Sequence, residues 1–423
     1  MKPFRIFNCP FRIFLLTLFI ASVGVIMVYS SSGSYASGQR RRAVARVQGA
    51  EALQEDHQYH NPRYVTRQIL WLALGLCGMF AAYSVDYRRL KDAGPWLLLV
   101  SLIMLLLVYV PGIGVRINDH NRWIGFAGFT LQPSEIAKLA LIIYMARMLT
   151  DHHDKITTSF LHGVAPALTL TGVFALAIIA EPDIGAAAVL SAIIFVMWFI
   201  GGMRILHLSG LVSATIPAFI YVVLMFPDRV ARVVAFINPT PETSMGKGYQ
   251  LLQSLIAVGS GGIQGIGLGN SMQKYFLTEQ FSDFIFAIIC EELGLIGAGL
   301  LVLCFLLLIL EGWRVALRAP DFYSTLLAAG ITLMLAISVT LNLMVVLGLA
   351  PTKGLALPLL SYGGTNMLVT LTSMGILMNI GKYVERQKEM GVPSKGGARA
   401  SDRVRKSKRP PRRTRKWYEQ EIA

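Results

Sequence analysis

Ten apolar runs separated by short polar stretches organise most of the chain, near 11–31, 68–85, 95–114, 134–150, 164–181, 184–203, 205–226, 283–310, 324–350 and 364–381. A helix needs about 20 mostly apolar residues to cross the hydrocarbon core of a bilayer. The pattern therefore predicts an all-α, polytopic integral membrane protein with about ten transmembrane helices. The first run follows a basic start (Lys2, Arg5, Arg12) but is long for a secretory signal and lacks a clear small-residue cleavage site, so it is expected to stay as the first helix.

Composition agrees. Of 423 residues, 54% are hydrophobic and only 15% charged, with a mean hydropathy of +0.56, which excludes an ordinary soluble domain. Cys9, Cys77, Cys290 and Cys304 lie in or beside apolar runs with no CxxC pair or metal-like His spacing, and core packing is expected of them.

Ten crossings and a basic start place both termini in the cytoplasm, and the Lys/Arg bias supports this through DYRRLK (86–91) and the tail. From Lys382 onward there are fourteen Lys or Arg against five Asp or Glu. The chain thus divides into a transmembrane domain (1–382) and a basic, disordered cytoplasmic tail (383–423), expected to touch anionic membrane lipids and not nucleic acid. The same topology puts Arg116, Arg122, Arg229, Arg232, Lys247, Lys274 and Lys353 outside, against the usual bias. Cations gathered there point to an anionic ligand, with phosphate the first choice.

The long outside segment 227–282 is the expected functional face. It mixes amphipathic stretches (228–237, 249–258), read as short interfacial helices, with glycines 259, 261, 262, 265, 267 and 269. These match neither GxGxxG nor GxxxxGK[ST], so no nucleotide site is expected; they permit close backbone approach to a ligand or to neighbouring helices. The other outside loop, 32–67, is hydrophilic and expected to be partly mobile.

Ionisable residues at membrane depth carry the candidate chemistry. QPSEIAK (132–138) places Glu135 and Lys138 on one helix face, as a structural ion pair or a substrate-facing one. Trp123 beside Arg122 suits membrane anchoring or a lipid headgroup. EPDIG (181–185) reads as a turn with two acids. Asp283 stands at the mouth of the eighth run; a continuous helix would put Glu291 about 80° from it around the axis and Glu292 opposite. LAPTKGLALPLLSYGGTN (349–366) reads as a broken, re-entrant stretch, tolerated only where protein or a water-filled cavity covers it.

QPSEIAK after NRWI, AFINP followed by GYQLLQS, AVGSGGIQGIGLGNSMQK, SDFIFAIICEELG and PTKGLALPLLSYGG occur in this order. Together they resemble the SEDS family of bacterial cell-wall polymerases over about residues 11–382. The Lys in PTKG resembles the division-type (FtsW-like) branch rather than the elongation-type (RodA-like) one. The resemblance implies a peptidoglycan glycosyltransferase that polymerises lipid II on the outer face of the bacterial inner membrane, at the division septum, with release of undecaprenyl pyrophosphate. It implies as partners a class B penicillin-binding protein (FtsI-like) and other division proteins. By motif, Asp283 matches the family's essential loop aspartate, Glu135 and Lys138 its paired cavity residues, and Lys353 the division-type lysine. Ser282 stands where Thr is common, Cys290 where Gly is common, and the first outside loop is longer than usual.

The reaction needs a general base and cations for the leaving diphosphate. Asp283 is assigned as base or as ligand of a divalent cation, Mg²⁺ or Mn²⁺; the two roles stay open. Substrate contacts are assigned to Arg122, Trp123, Arg229, Arg232, Lys274, Lys353 and Ser361, with Lys138 a further cation for the diphosphate. Rival readings are a lipid II flippase and a scaffold for division proteins.

Overall fold

The computed structural model describes residues 8–48, 62–117, 120–126, 129–238, 240, 243, 246, 248–277 and 280–390. A helix occupies each of the ten apolar runs: α1 (Cys9–Gln48), α2 (Pro62–Ser84), α3 (Tyr87–Leu107), α4 (Pro133–Asp151), α6 (Ala165–Ala180, entered through a π turn at Phe160–Val164), α7 (Ile184–Ile200), α8 (Ile205–Leu224), α11 (Ile285–Arg318), α12 (Phe322–Val346) and α13 (Gly364–Glu389). Short helices α5 (His153–Thr158), α9 (Pro227–Ile237) and α10 (Tyr249–Ser260) lie between them. Among the described residues, eight helices are long and apolar enough to span a membrane. The two shortfalls have plain causes: α7 has 17 residues, and α4 carries Glu135, Lys138, Arg147 and Asp151.

Several sequence expectations need correction. The first helix runs on to Gln48, well past its apolar part, so half of the expected outside loop is helical backbone. The third run stops being helical at Leu107 and turns into a three-stranded antiparallel meander, β1 (Gly114–Ile117), β2 (His120–Phe126) and β3 (Phe129–Leu131). The last helix continues through Glu389, seven residues beyond the expected domain boundary. Lys247 and residues 391–423 lie outside the described residues. Of the cysteines, Cys9, Cys290 and Cys304 are buried as expected, while Cys77 is exposed on α2.

The largest correction concerns α11. Asp283 lies before its first residue, and the helix breaks at Gly294, whose φ of 65° and ψ of −169° belong to a region that only glycine occupies readily. The expected angles between Asp283, Glu291 and Glu292 therefore do not apply, and both glutamates are buried. The break is filled by the glycine-rich segment. Ile266 and Gly267 donate to the carbonyls of Glu291 and Glu292, both at 3.0 Å, and Leu295 returns a bond to the carbonyl of Gly262 at 2.9 Å. A Cβ on Gly265 would sit 2.2 Å from the Glu292 carbonyl oxygen and one on Gly261 1.9 Å from that of Cys290, so these two glycines serve close approach to α11. The two carboxylates bind inward: Glu292 accepts from Ser30 Oγ at 2.7 Å, and Glu291 from the Met272 amide at 3.0 Å.

Helix α13 is the most enclosed span and packs along α2, α1 and α12. Helix α8 is the opposite case, with only 6% of its apolar window buried. One end of the bundle is pinned by Tyr87, whose hydroxyl donates to Asp321 Oδ2, while Asp321 itself caps α12 in a capping box with Ser324. DYRRLK and the basic last turn of α13 lie at that end. The other end holds the candidate site.

Candidate active site

At this end the ends of α7, α8, α9 and the irregular stretch 347–363 enclose a cavity of about 340 Å³. Its charged lining is Arg122, Asp183, Arg229, Arg232 and Lys353; its apolar wall includes Phe219, Ile220, Val223 and Leu224 from the last turns of α8. A site with one greasy wall and one cationic wall suits an amphiphile with an anionic head.

Each cation is placed by a local device. In β2, Asn121 pairs with Arg116 and Trp123 with Val115, so Arg122 is the extra residue of a β-bulge, which re-aims its side chain. Its Nε donates to the carbonyl of Glu181 at 2.9 Å and its Nη2 to that of Pro182. Arg229 and Arg232 lie three apart on α9, which starts with Pro227 in its first turn, and Arg229 Nη2 also donates to the Pro182 carbonyl at 3.1 Å. Lys353 comes from the irregular stretch before α13.

These cations repel one another. Burial pushes Arg229 below its usual pKa, and the charges of Arg232 and Arg122 push further the same way. Lys353 is lowered by burial and then by Arg229. Asp183, the acid among the lining residues, and Asp228 on α9 offset part of this repulsion at Arg229; Asp183 also caps α7 through the Ala186 amide at 3.1 Å and accepts from Gln132 Nε2 at 3.2 Å. Glu181 is wholly buried, and neither carboxyl oxygen has a hydrogen-bond partner among the described residues. Burial, then the charge of Asp183, pushes its pKa up to about 8 against the opposing pull of Arg122. At neutral pH it is mostly uncharged, so it does not cancel the arginines.

Asp283 stands at the edge of this cavity. Gly354, a lining residue next to Lys353, comes close enough that a Cβ there would be 3.2 Å from Asp283 Oδ2. Three successive carbonyls fix the approach of Asp283: that of Phe281 accepts from the Tyr362 amide at 2.8 Å, that of Ser282 from Ser361 Oγ, and that of Asp283 from Asn342 Nδ2 at 2.9 Å.

The structure thus brings Arg122, Arg229, Arg232 and Lys353 together, with Asp283 beside them. The other sequence candidates lie elsewhere. Ser361 is buried, its hydroxyl committed to Ser282 and to the Leu357 amide at 2.7 Å, which makes it part of the frame under Asp283. Lys274 is buried under the glycine segment, where Nζ donates to the Gly269 carbonyl in the field of Glu291 and Glu292. Trp123 is half-buried in the sheet and does not line the cavity. Glu135 in the first turn of α4 and Lys138 in the second form a largely buried pair at 2.8 Å, with Asn366 Nδ2 on Glu135 Oε2 at 3.3 Å. Neither lines the cavity; their helix is tied to it by its N-cap Gln132, which donates to Asp183. Sequence reasoning missed Glu181, Gln132 and Asn342; the lone Asn in the apolar run 324–350 was the available signal.

The sequence profile of the FtsW, RodA and SpoVE cell cycle proteins matches residues 11–386. The chain belongs to that family. Stage V sporulation protein E of Bacillus subtilis is 39% identical over 371 residues, covering 87% of this chain and 96% of the relative. A probable peptidoglycan glycosyltransferase FtsW of Geobacter metallireducens is 39% identical over 370 residues, covering 87% and 93%. Among solved structures, a chain of a peptidoglycan synthase complex that coordinates polymerization and crosslinking superposes with a TM-score of 0.69 at 25% identity, covering 88% of this chain and 97% of that one. The rod shape determining protein RodA of Thermus thermophilus superposes at 0.62 and 25% identity, covering 88% and 95%. The cell cycle family membership agrees with the sequence resemblance, and the relatives at 39% identity bear FtsW and SpoVE names, as expected for the division-type branch.

Proposed function

We propose that this chain is a peptidoglycan glycosyltransferase of the division type, polymerising lipid II on the outer face of the bacterial inner membrane with release of undecaprenyl pyrophosphate. One observation carries the reading: four cations, Arg122, Arg229, Arg232 and Lys353, line an amphiphilic cavity and outnumber its one lining carboxylate, Asp183, and Asp283 stands at its edge. Such a cluster is relieved by an anionic ligand, and a lipid-linked diphosphate supplies both the charge and an apolar tail for the α8 wall. The relatives named as glycosyltransferases and the synthase-complex likeness support it.

In this reading Asp283 takes the proton from the C4 hydroxyl of one sugar, the oxygen bonds to the anomeric carbon of another, and the bond from that carbon to the diphosphate oxygen breaks. Arg122, Arg229, Arg232 and Lys353 hold the charge that develops on the leaving group. The Glu135–Lys138 pair supports the site from α4. Among the described residues there is no group of three His, Cys, Asp or Glu able to hold a metal. Asp283 would supply a ligand to an Mg²⁺ or Mn²⁺ bound with the substrate, and such an ion would screen the charge of the diphosphate. The proposed setting is the septum, beside a class B penicillin-binding protein.

The test is purified protein in detergent with lipid II. Glycan strands are expected to lengthen with no vesicle present, and Asp283→Asn is expected to give none while remaining folded. A flippase would instead move lipid II across vesicles without joining it. Strand growth by the Asp283→Asn protein would overturn the catalytic assignment.

A further inference from the structure

We infer that Asn342 is a positioning residue for the glycosyl transfer, setting the distance between Asp283 and the Lys353 stretch. The inference rests on the reading of Asp283 as the reacting carboxylate. Asn342 is 1% exposed on α12 and donates both hydrogens of one amide: to the carbonyl of Asp283 at 2.9 Å and to that of Leu355 at 2.7 Å. Since both facing atoms are carbonyl oxygens, the amide has one orientation that satisfies them.

This bond pair is placed where the local backbone gives least support. Asp283 precedes the first turn of α11, and Leu355 lies in a stretch with no regular structure, two residues from Lys353. The Leu355 amide also bonds the Lys353 carbonyl at 3.0 Å, so a shift of Leu355 moves Lys353 with it. Asn342 therefore joins the segment that carries the acid to the segment that carries a cation, from near the C-terminal end of a 25-residue helix.

The amide is held at a cost. Its Oδ1 is buried with no hydrogen-bond partner among the described residues. A buried acceptor left unmade destabilises the fold; a leucine of similar size would avoid this. Asn at this point serves its two donors, and the donors serve the site.

The experiment measures lipid II binding and turnover on the full-length protein for Asn342→Ala and for the isosteric Asn342→Asp, which offers at most one donor. Binding stoichiometry reports the folded, competent fraction, so turnover is expressed per binding site. Expected are stoichiometry and Kd within about twofold of the parent and turnover per site lowered about 100-fold in Asn342→Ala, the loss typical of a displacement of about 1 Å, with Asn342→Asp in between. A merely structural role would lower stoichiometry and leave turnover per site unchanged, and that result in either variant overturns the inference. Should Asp283→Asn prove active in the same assay, the underlying reading fails instead, and the two failures are told apart.

Discussion

Arg122 and Arg229 donate to the same carbonyl oxygen, that of Pro182. The two come from a β-bulge and from α9, and a neutral acceptor brings both together without adding a counter-charge. A carboxylate in that place would have offset part of the positive charge of the cavity.

The first prediction follows directly. Arg229→Ala is expected to lower kcat for lipid II polymerisation by about 10²–10³-fold, the usual loss for removing a preorganised group at developing charge. Arg229→Lys keeps the charge but not the fork that reaches Pro182, and is expected to fall between. Steady-state kinetics with purified lipid II checks both.

Glu181 is expected to make the activity pH-dependent. Its folded pKa is about 8, above the ordinary value of 4.5, so the protonated form is favoured in the fold. As pH rises through 8 it ionises beside Asp183 and Arg122, cancels part of the cationic field, and turnover is expected to fall. Glu181→Gln is expected to remove this alkaline limb. For stability the sign is the same: the carboxyl's favourable contribution is complete below pH 4.5 and is lost as pH rises towards 8. Glu181→Gln should therefore melt higher than the parent near pH 8, and that advantage should vanish in acid.

The Glu135–Lys138 pair is buried, so removing one partner strands a charge. Either Glu135→Gln or Lys138→Met alone is expected to cost about 3–5 kcal/mol. The double exchange should recover most of that stability yet polymerise at least about tenfold more slowly, because the pair supports the α4 end of the site. Thermal unfolding in detergent and the polymerisation assay separate the two effects.

Gly294→Ala is expected to be among the most damaging changes outside the cavity. The backbone conformation alone costs about 1–3 kcal/mol for a residue with a side chain, and the new carbon would lie 2.3 Å from the Gly265 amide nitrogen. Loss of folded protein in size-exclusion profiles is the readout.

Much of this was legible in the sequence. Apolar run length found all ten long helices, because hydrophobic burial in a membrane leaves a contiguous trace. The unusual cations Arg122, Arg229, Arg232 and Lys353 were visible because they oppose the charge bias of insertion. Bonds to main-chain carbonyls leave no such trace. Nothing in the side-chain pattern showed that Pro182 would anchor two arginines, or that Lys274 would turn inward under a glycine segment. The break at Gly294 was hidden for a related reason: CEELGLIG has good helix formers on both sides, and only the docked 262–267 backbone makes the left-handed step necessary. Ser361 looked like a substrate contact because its polarity was evident and its partner Ser282, far away in sequence, was not.

Three groups that seat the Asp283 segment, Asn342, Ser361 and Tyr362, follow it in the chain. During synthesis these three groups become available only after the acid, so the seat that they give it is expected to be complete only once α12 and the start of α13 have been made. Truncated products ending before residue 342 would carry every arginine of the pocket and still be unable to build polymer.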